Sequence, residues 1–175
     1  MLGMVGLGAK SGYAIKKMAD VSTSAFWPTS LAQVYPELAR LHEAGLLERR
    51  EDPQGERRRS AYELTRDGEE ALLAWLRSPR EVPTQLRDEG LLRLFFADAL
   101  SLEDQLGLLA RMSEIASTAA AQLTEEVIPV AELAAQGGTR FPAEVARFGA
   151  DLYSYSAQQL TLLRERLEEE QASGR

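Results

Sequence analysis

Apolar residues between positions 31 and 41 recur at the spacing of one face of an α-helix. They are Leu31, Val34, Leu38 and Leu41. Thr29 and Ser30 offer side-chain oxygens that suit the start of this helix, and Gly45 suits the left-handed residue that ends it. The pattern therefore predicts an amphipathic helix over residues 31–44. The polar residues on its opposite side are Gln33, Glu37 and Arg40.

The segment after this helix has the pattern of two short strands joined by a turn. Residues 46–50 and 61–64 have strand character, and residues 52–55 have the composition of a tight turn. Three arginines follow the turn, namely Arg57, Arg58 and Arg59. A hydrophilic loop would explain them, but three like charges held together favour a nearby polyanion. A capped helix, a glycine stop and an arginine-tipped hairpin predict the second half of a winged helix-turn-helix.

A second helix is predicted to begin at Ser11 or Gly12, and its polar face carries Tyr13, Lys16 and Lys17. Neighbouring lysines usually form a solvated face. If the predicted 31–44 helix enters a DNA groove, however, the neighbouring lysines become candidates for phosphate contacts.

A further helix is predicted from Thr65 to about Leu76, followed by a linker marked by prolines at positions 79 and 83. We expect a domain boundary here. The two predicted domains are residues 1–78 and residues 79–175.

The second half of the chain has a helical pattern throughout, and its last helix carries two apolar stripes. The first stripe consists of Val145, Phe148, Leu152, Tyr155 and Leu162. The second consists of Tyr153, Leu160, Leu163 and Leu167. A contact within one monomer does not need two apolar faces, so we predict that the first stripe packs on a partner copy; a single broad core face is the alternative. The predicted fold is mainly α: an N-terminal winged helix-turn-helix with a two-stranded wing, followed by an all-helical C-terminal dimerisation domain.

The charge of the chain is unevenly distributed. The net charge is −7 over 175 residues. Residues 1–80 carry 12 Lys/Arg and 11 Asp/Glu, a net +1, whereas residues 81–175 carry 8 and 16, a net −8. DNA affinity depends on local phosphate neutralisation, so the overall acidity does not exclude a nucleic-acid partner.

The composition argues against catalysis and for an intracellular setting. Cysteine and asparagine are absent, which excludes disulfides and favours a reducing, cytoplasmic location. No apolar run is long enough to cross a membrane. The single histidine, His42, cannot form a histidine cluster for a metal, and we expect it to be a partly buried structural residue. Gly3 and Gly8 have the separation of a phosphate loop, but Ala9 replaces the required lysine. We therefore expect no enzyme activity, no cofactor and no metal site.

The first part of the chain contains an ordered set of short motifs: Gly12-Tyr13-Ala14-Ile15, Phe26-Trp27, Gln33-Val34-Tyr35-Pro36-Glu37-Leu38, Gly45-Leu46 and Tyr62-Glu63-Leu64-Thr65 with Gly68. Together these motifs resemble the PadR family of bacterial transcriptional regulators. The resemblance covers nearly all of residues 1–77. Further on, residues 86–89 and 94–96 resemble the helical C-terminal domain of the subgroup nearest to PadR itself. The chain departs from the family in a shorter first helix and in Ala32, where glycine or serine is common.

The resemblance implies a homodimer that binds a palindromic operator in double-stranded DNA, usually as a repressor, and that releases it when a small effector binds. We expect the start of the 31–44 helix to enter the major groove, where the amide of Gln33 suits adenine. The residues expected at the DNA are Tyr13, Lys16, Ser30, Gln33, Tyr35, Arg40, Arg57, Arg58 and Arg59. A winged-helix adaptor that binds protein instead of DNA is the alternative.

Three aromatic residues are candidates for an effector pocket between the two predicted domains. They are Trp75, Phe95 and Phe96. A small aromatic ligand would suit such a pocket, although aromatic residues of this kind are more often plain core.

Overall fold

The computed structural model describes residues 1–24, 26–52, 59–79 and 86–174. The chain divides into two compact units, Met1–Val82 and Pro83–Arg175. Its described residues are mainly helical and include one two-stranded antiparallel sheet, which confirms the predicted fold class. The first unit contains α1 (Leu2–Gly6), α2 (Gly12–Ser22), α3 (Leu31–Glu43), β1 (Leu47–Asp52), β2 (Arg59–Leu64) and α4 (Arg66–Arg77).

Helices α2 and α3 form the helix-turn-helix, and a serine precedes each of them. Ser11 Oγ accepts a hydrogen bond from the backbone N–H of Ala14 at 3.2 Å, and Ser30 is the N-cap of α3. Helix α3 continues through Pro36, where one backbone hydrogen bond is lost at a cost of roughly 3 kcal/mol. Gly45 has φ +73°, which lets the chain turn out of α3 into β1.

The core of the first unit lies among α1, α2, α3 and β1. Its buried residues are Val5, Ala9, Ile15, Val34, Leu38, Leu41 and Leu47. The apolar stripe predicted on α3 thus faces the core, except for Leu31. This residue lies in the first turn and is exposed, so the buried stripe begins one turn later than predicted.

The wing is an antiparallel pair whose register runs from Leu47↔Leu64 to Asp52↔Arg59. Both strands extend further toward the turn than the sequence pattern predicted. Side chains alternate between the faces of a strand. The buried Leu47 therefore faces the core, and Glu48 and Arg50 lie on the opposite face.

The end of α3 is joined closely to the start of α4. The hydroxyl of Thr65 donates to the carbonyl of Gly45 at 2.7 Å and accepts from the N–H of Gly68 at 3.0 Å. A Cβ placed on Gly68 would lie 2.0 Å from the carbonyl oxygen of Leu46. Only glycine allows this approach of the two backbone segments.

His42 is a surface residue, contrary to the partly buried position expected from the sequence. Its Nδ1 lies 2.9 Å from the carbonyl oxygen of Leu47. Because a carbonyl only accepts, Nδ1 is the donor. The histidine thus ties the last turn of α3 to β1.

The second unit is an antiparallel arrangement of helices. It contains α5 (Glu89–Phe95), a 3₁₀ turn (Ala97–Ala99), α6 (Leu102–Gln122), a π-helical turn (Leu123–Val127), α7 (Ile128–Ala135) and α8 (Phe141–Ala172). The π-helical turn directly precedes α7, whose second residue is Pro129, and proline has no N–H for a helical hydrogen bond. Ser113 Oγ on α6 donates to the carbonyl of Ala157 on α8 at 3.2 Å.

Helix α8 packs inside its unit through small residues. Its buried residues are Ala143, Ala146, Ala150 and Ala157. The second predicted stripe, represented by Tyr153 and Leu160, is half-buried beside them. Leu109 and Ala116 of α6 are also buried.

Candidate nucleic-acid interface

Ser30 and Gln33 form a capping box at the start of α3. The side-chain oxygen of Gln33 accepts from the backbone N–H of Ser30 at 2.9 Å and from its hydroxyl at 3.1 Å. A bidentate contact to adenine needs that oxygen as an acceptor and the amide nitrogen as a donor. In this geometry the side-chain oxygen already accepts two hydrogen bonds from Ser30. The amide NH₂ is therefore the group of Gln33 that can donate a hydrogen bond to a base. The Ser-x-x-Gln spacing is the sequence signal for this capping box, whereas the pattern above predicted only a capping oxygen from Thr29 or Ser30.

Tyr13 and Tyr35 present exposed rings at the junction of α2 and α3. The ring of Tyr35 lies so close to Gly12 that a Cβ there would come within 2.6 Å of it. Tyr13, the next residue, is 69% exposed. The first turns of α3 and the first turn of α2 therefore form one continuous surface.

Two cations predicted to contact phosphates are already paired on the surface. Lys16 forms an ion pair with Asp20. Arg40 donates two hydrogen bonds to Glu37, at 2.8 and 2.7 Å. The hydrogen bond from Arg40 lowers the pKa of Glu37 below its ordinary value, because it stabilises the charged carboxylate. Exposed pairs of this kind contribute little stability, and a phosphate can take the place of the carboxylate.

The arginines of the wing are mostly beyond what the structure describes. Arg57 and Arg58 lie outside the described residues. The backbone of Arg59 belongs to β2 and pairs with Asp52. The predicted DNA contacts of all three remain predictions.

A charged group that the sequence analysis missed lies at the base of the wing. We call Lys10, Glu48, Arg50 and Glu63 the wing-base cluster. Glu63 accepts from the Lys10 ammonium at 2.8 Å and lies 3.4 Å from the Arg50 guanidinium, which also donates to Glu48 at 3.0 Å. The hydrogen bond from Lys10 and the charge of Arg50 lower the pKa of Glu63. Alternation along β1 signals that Glu48 and Arg50 share a face, but no spacing rule links Lys10 to a strand 53 positions away.

The wing-base cluster is continuous with the start of α2. The N–H of Tyr62 donates to the carbonyl of Lys10 at 2.7 Å, so the segment before α2 lies beside β2. Lys10 is followed directly by Ser11 and Gly12, and Gly12 contacts the Tyr35 ring. The start of α3, the start of α2 and the base of the wing thus form one side of the first unit.

The candidate effector residues are exposed, not core. Trp75 is 72% exposed on α4. It lines a cavity of about 370 Å³, and all the lining residues belong to the first unit. They are Met1, Met4, Ile15, Ala19, Thr23, Phe26, Trp27, Thr29 and Trp75. Phe95 and Phe96 lie in the second unit, where their rings meet edge-to-face at 5.0 Å.

The first apolar stripe of α8 is exposed along its whole length. Its members are Val145, Phe148, Leu152, Tyr155 and Leu162. Phe148 is 70% exposed. Because the buried alanines lie on another face of α8, the two predicted stripes do not merge into one broad core face.

Among the described residues, no group of three or more His, Cys, Asp or Glu side chains is arranged to hold a metal ion. Within the same ranges, no helix is long and apolar enough to cross a membrane.

The N-terminal 74 residues of the chain match a family of known proteins. Residues 1–74 match the model described as the transcriptional regulator PadR-like family. A curated relative, the negative transcriptional regulator PadR of Bacillus subtilis (strain 168), is 31% identical over 105 residues, which are 59% of this chain and 58% of that protein. The match therefore spans less than two thirds of the relative's length.

Solved structures share the fold over both units. Bacillus subtilis PadR in complex with operator DNA has a TM-score of 0.80 at 23% identity, over 95% of each chain. The PadR-like transcriptional regulator BC1756 from Bacillus cereus has a TM-score of 0.77 at 22% identity, over 97% of this chain and 96% of that one. Bacillus subtilis PadR in complex with p-coumaric acid has a TM-score of 0.72 at 22% identity, over 95% of each chain. At sequence identities this low, the structural similarity shows a shared fold and does not by itself show a shared function.

The family match, the curated relative and the shared fold agree with the motifs in the sequence. Transcriptional regulators are not a class of enzymes, and none of these comparisons indicates a catalytic function. Residues 1–74 of this chain form a domain similar to the transcriptional regulator PadR-like family, and the chain as a whole shares the fold of solved PadR-like regulators.

Proposed function

We propose that this protein is a non-enzymatic cytoplasmic repressor that binds a palindromic operator in double-stranded DNA as a homodimer. One observation carries the proposal: the first turns of α3, the start of α2 and the base of the wing form a continuous surface. A winged helix presents these elements to DNA, with the recognition helix in the major groove. A relative of the same fold has been crystallised with operator DNA.

Each predicted residue then has a defined role at the duplex. The amide NH₂ of Gln33 donates to a base, and Ser30, Tyr13 and Tyr35 contact phosphates. Lys16 and Arg40 exchange their carboxylate partners for phosphate oxygens. Arg57, Arg58 and Arg59 reach the backbone or the adjacent minor groove from the wing.

The exposed stripe of α8 supports the homodimer. Large apolar side chains on one face of a 32-residue helix are expected to be covered by another chain. A second copy related by two-fold symmetry places two recognition helices at half-sites roughly 34–36 Å apart. A palindromic operator follows from that symmetry.

Operator binding tests the proposal directly. We expect the purified chain to have the mass of a dimer in light scattering and to shift the promoter upstream of its own coding sequence in a gel. An unrelated duplex of the same length is the control, and it should bind with at least 10³-fold lower affinity. A protein that fails to distinguish the two duplexes would favour the alternative, an adaptor that binds protein.

We further propose that a small aromatic effector binds in the cavity lined by Trp75 and Trp27. The wall of this cavity includes Thr29, which directly precedes the N-cap of α3, so a ligand there would alter the start of the recognition helix. The role of Phe95 and Phe96 in effector binding stays a prediction from the sequence. A phenolic acid suits the lining because its ring packs on the aromatic side chains and its polar groups can bond to Thr23 or Thr29.

Tryptophan emission tests the effector, because both tryptophans of the chain line the cavity. We expect p-coumaric acid or a related phenolic acid to quench the emission and to release the operator. Trp27→Phe and Trp75→Phe identify which indole responds. If emission and operator affinity both stay constant across phenolic and polycyclic compounds, this site is wrong.

A further inference from the structure

The wing-base cluster is electrically neutral although it lies within the proposed DNA surface. Lys10 and Arg50 contribute two positive charges, and Glu48 and Glu63 contribute two negative charges. Glu63 contacts both cations, at 2.8 Å and 3.4 Å. A surface that binds phosphates gains affinity from each cation that it presents, so this arrangement keeps two such cations engaged.

The two carboxylates also lie opposite each other across the sheet. Glu48 pairs with Glu63 in the antiparallel register. Like charges at directly opposed positions destabilise a hairpin. Arg50 offsets this repulsion because its guanidinium contacts both carboxylates, and Lys10 offsets it further. The fold therefore maintains negative charge at a place where DNA binding alone would favour its removal.

We propose that Glu63 limits the sequence-independent affinity of this protein for duplex DNA by holding Lys10 and Arg50 away from phosphates. This inference rests on the proposed DNA-binding function. Glu63 is a specificity-determining residue, because a protein with weaker phosphate contacts depends more on its base contacts for binding. Glu48 contributes less, since it contacts Arg50 and not Lys10 in the described contacts.

The surroundings of the cluster support this role. The Lys10 side chain is 60% exposed, so its ammonium can reach a phosphate once it is released. Its backbone is fixed by the hydrogen bond from Tyr62 and by the start of α2, where Ser11 caps the helix. Loss of the carboxylate would thus free the two cations without freeing the segments that carry them.

The test is the salt dependence of binding to a labelled duplex of arbitrary sequence, measured by fluorescence anisotropy. Glu63→Gln removes the charge and keeps the shape of the side chain. We expect its affinity in 0.1 M salt to rise about tenfold, and the slope of log K against log salt to steepen by about 1 to 2, as for one or two added phosphate contacts. The triple variant with Lys10→Gln and Arg50→Gln added should lose this gain.

Glu70→Gln is the matched control. Glu70 pairs with Arg66 on α4, so this variant makes the same change in net charge at an ion pair outside the cluster. If Glu63→Gln changes affinity and slope no more than Glu70→Gln does, the inference is overturned. Failure of the proposed function looks different, because wild type would then show no preference for its operator. Circular dichroism melting of each variant confirms that the fold is retained.

Discussion

At the residue scale, the capping contact that Gln33 makes and the base contact proposed for it use the same side chain. Its oxygen completes the capping box with Ser30, and its NH₂ is the group available to a base. The sequence predicted an exposed polar residue suited to adenine, and exposure is what the structure has. A cap at Thr29 or Ser30 was predicted, and the contribution of Gln33 to it could have been predicted too, because Ser-x-x-Gln is a recognised spacing. The pairing of Arg40 with Glu37 is likewise an ordinary i, i+3 contact, which the sequence analysis treated as separate polar residues.

Substitution of Gln33 separates its two roles. Gln33→Glu keeps a capping oxygen at the same position but has no NH₂ donor, whereas Gln33→Ala removes both. We expect both variants to lose base discrimination at one operator position, by about 1–3 kcal/mol. Only Gln33→Ala should also lower the free energy of unfolding, by about 1 kcal/mol.

Operator variants with single base changes and urea unfolding provide these measurements. Because Gln33→Glu also adds a negative charge, its overall affinity should fall uniformly across sequences. The assignment is refuted if Gln33→Ala discriminates among the variant operators as well as wild type does.

At the scale of elements, α8 shows how far a periodic pattern can be interpreted. The sequence predicted two apolar stripes, and the structure places them on different faces, one half-buried and one exposed. The sequence pattern did not indicate that alanines are the buried residues through which α8 packs inside its unit. Alanine counted as weakly apolar in the pattern, yet Ala146 and Ala150 are buried because small side chains let helices approach closely. The burial of these alanines is determined by tertiary packing, and the local periodicity of the sequence contains little information about it.

A charged residue introduced in the middle of the exposed stripe of α8 tests whether this stripe contacts a partner copy. Phe148→Glu should leave the helical content unchanged because Phe148 is exposed in the single chain. In the dimer, the same change would bury a carboxylate without a partner, at a cost of several kcal/mol. We expect the mass in light scattering to fall to 19.3 kDa and operator affinity to fall by at least tenfold.

Glu165→Gln is a suitable control, since it changes an exposed polar residue of the same helix. It should stay dimeric. A Phe148→Glu protein that also stays dimeric and binds the operator normally would show that this stripe is not the interface.

At the scale of the whole molecule, the sequence predicted the winged helix well and its charge contacts poorly. The order of capped helix, glycine stop and hairpin determines the first unit, since each of these signals is local. Contacts between distant segments are not encoded in this way. The wing-base cluster depends on Lys10 lying beside β2, and the cavity depends on Trp75 of α4 lying beside Phe26 and Trp27. Both are consequences of the completed fold.

The contact between Gly68 and Leu46 has a mechanical consequence. The backbone of α4 touches the backbone of the turn between α3 and β1 with no side chain between them, and Thr65 hydrogen-bonds to both segments. Because the two backbones are in direct contact, the start of α4 and the turn after α3 cannot shift independently of each other. If the proposed effector displaced α4 near Trp75, in the last turn of that helix, the displacement would therefore reach the segment that follows α3.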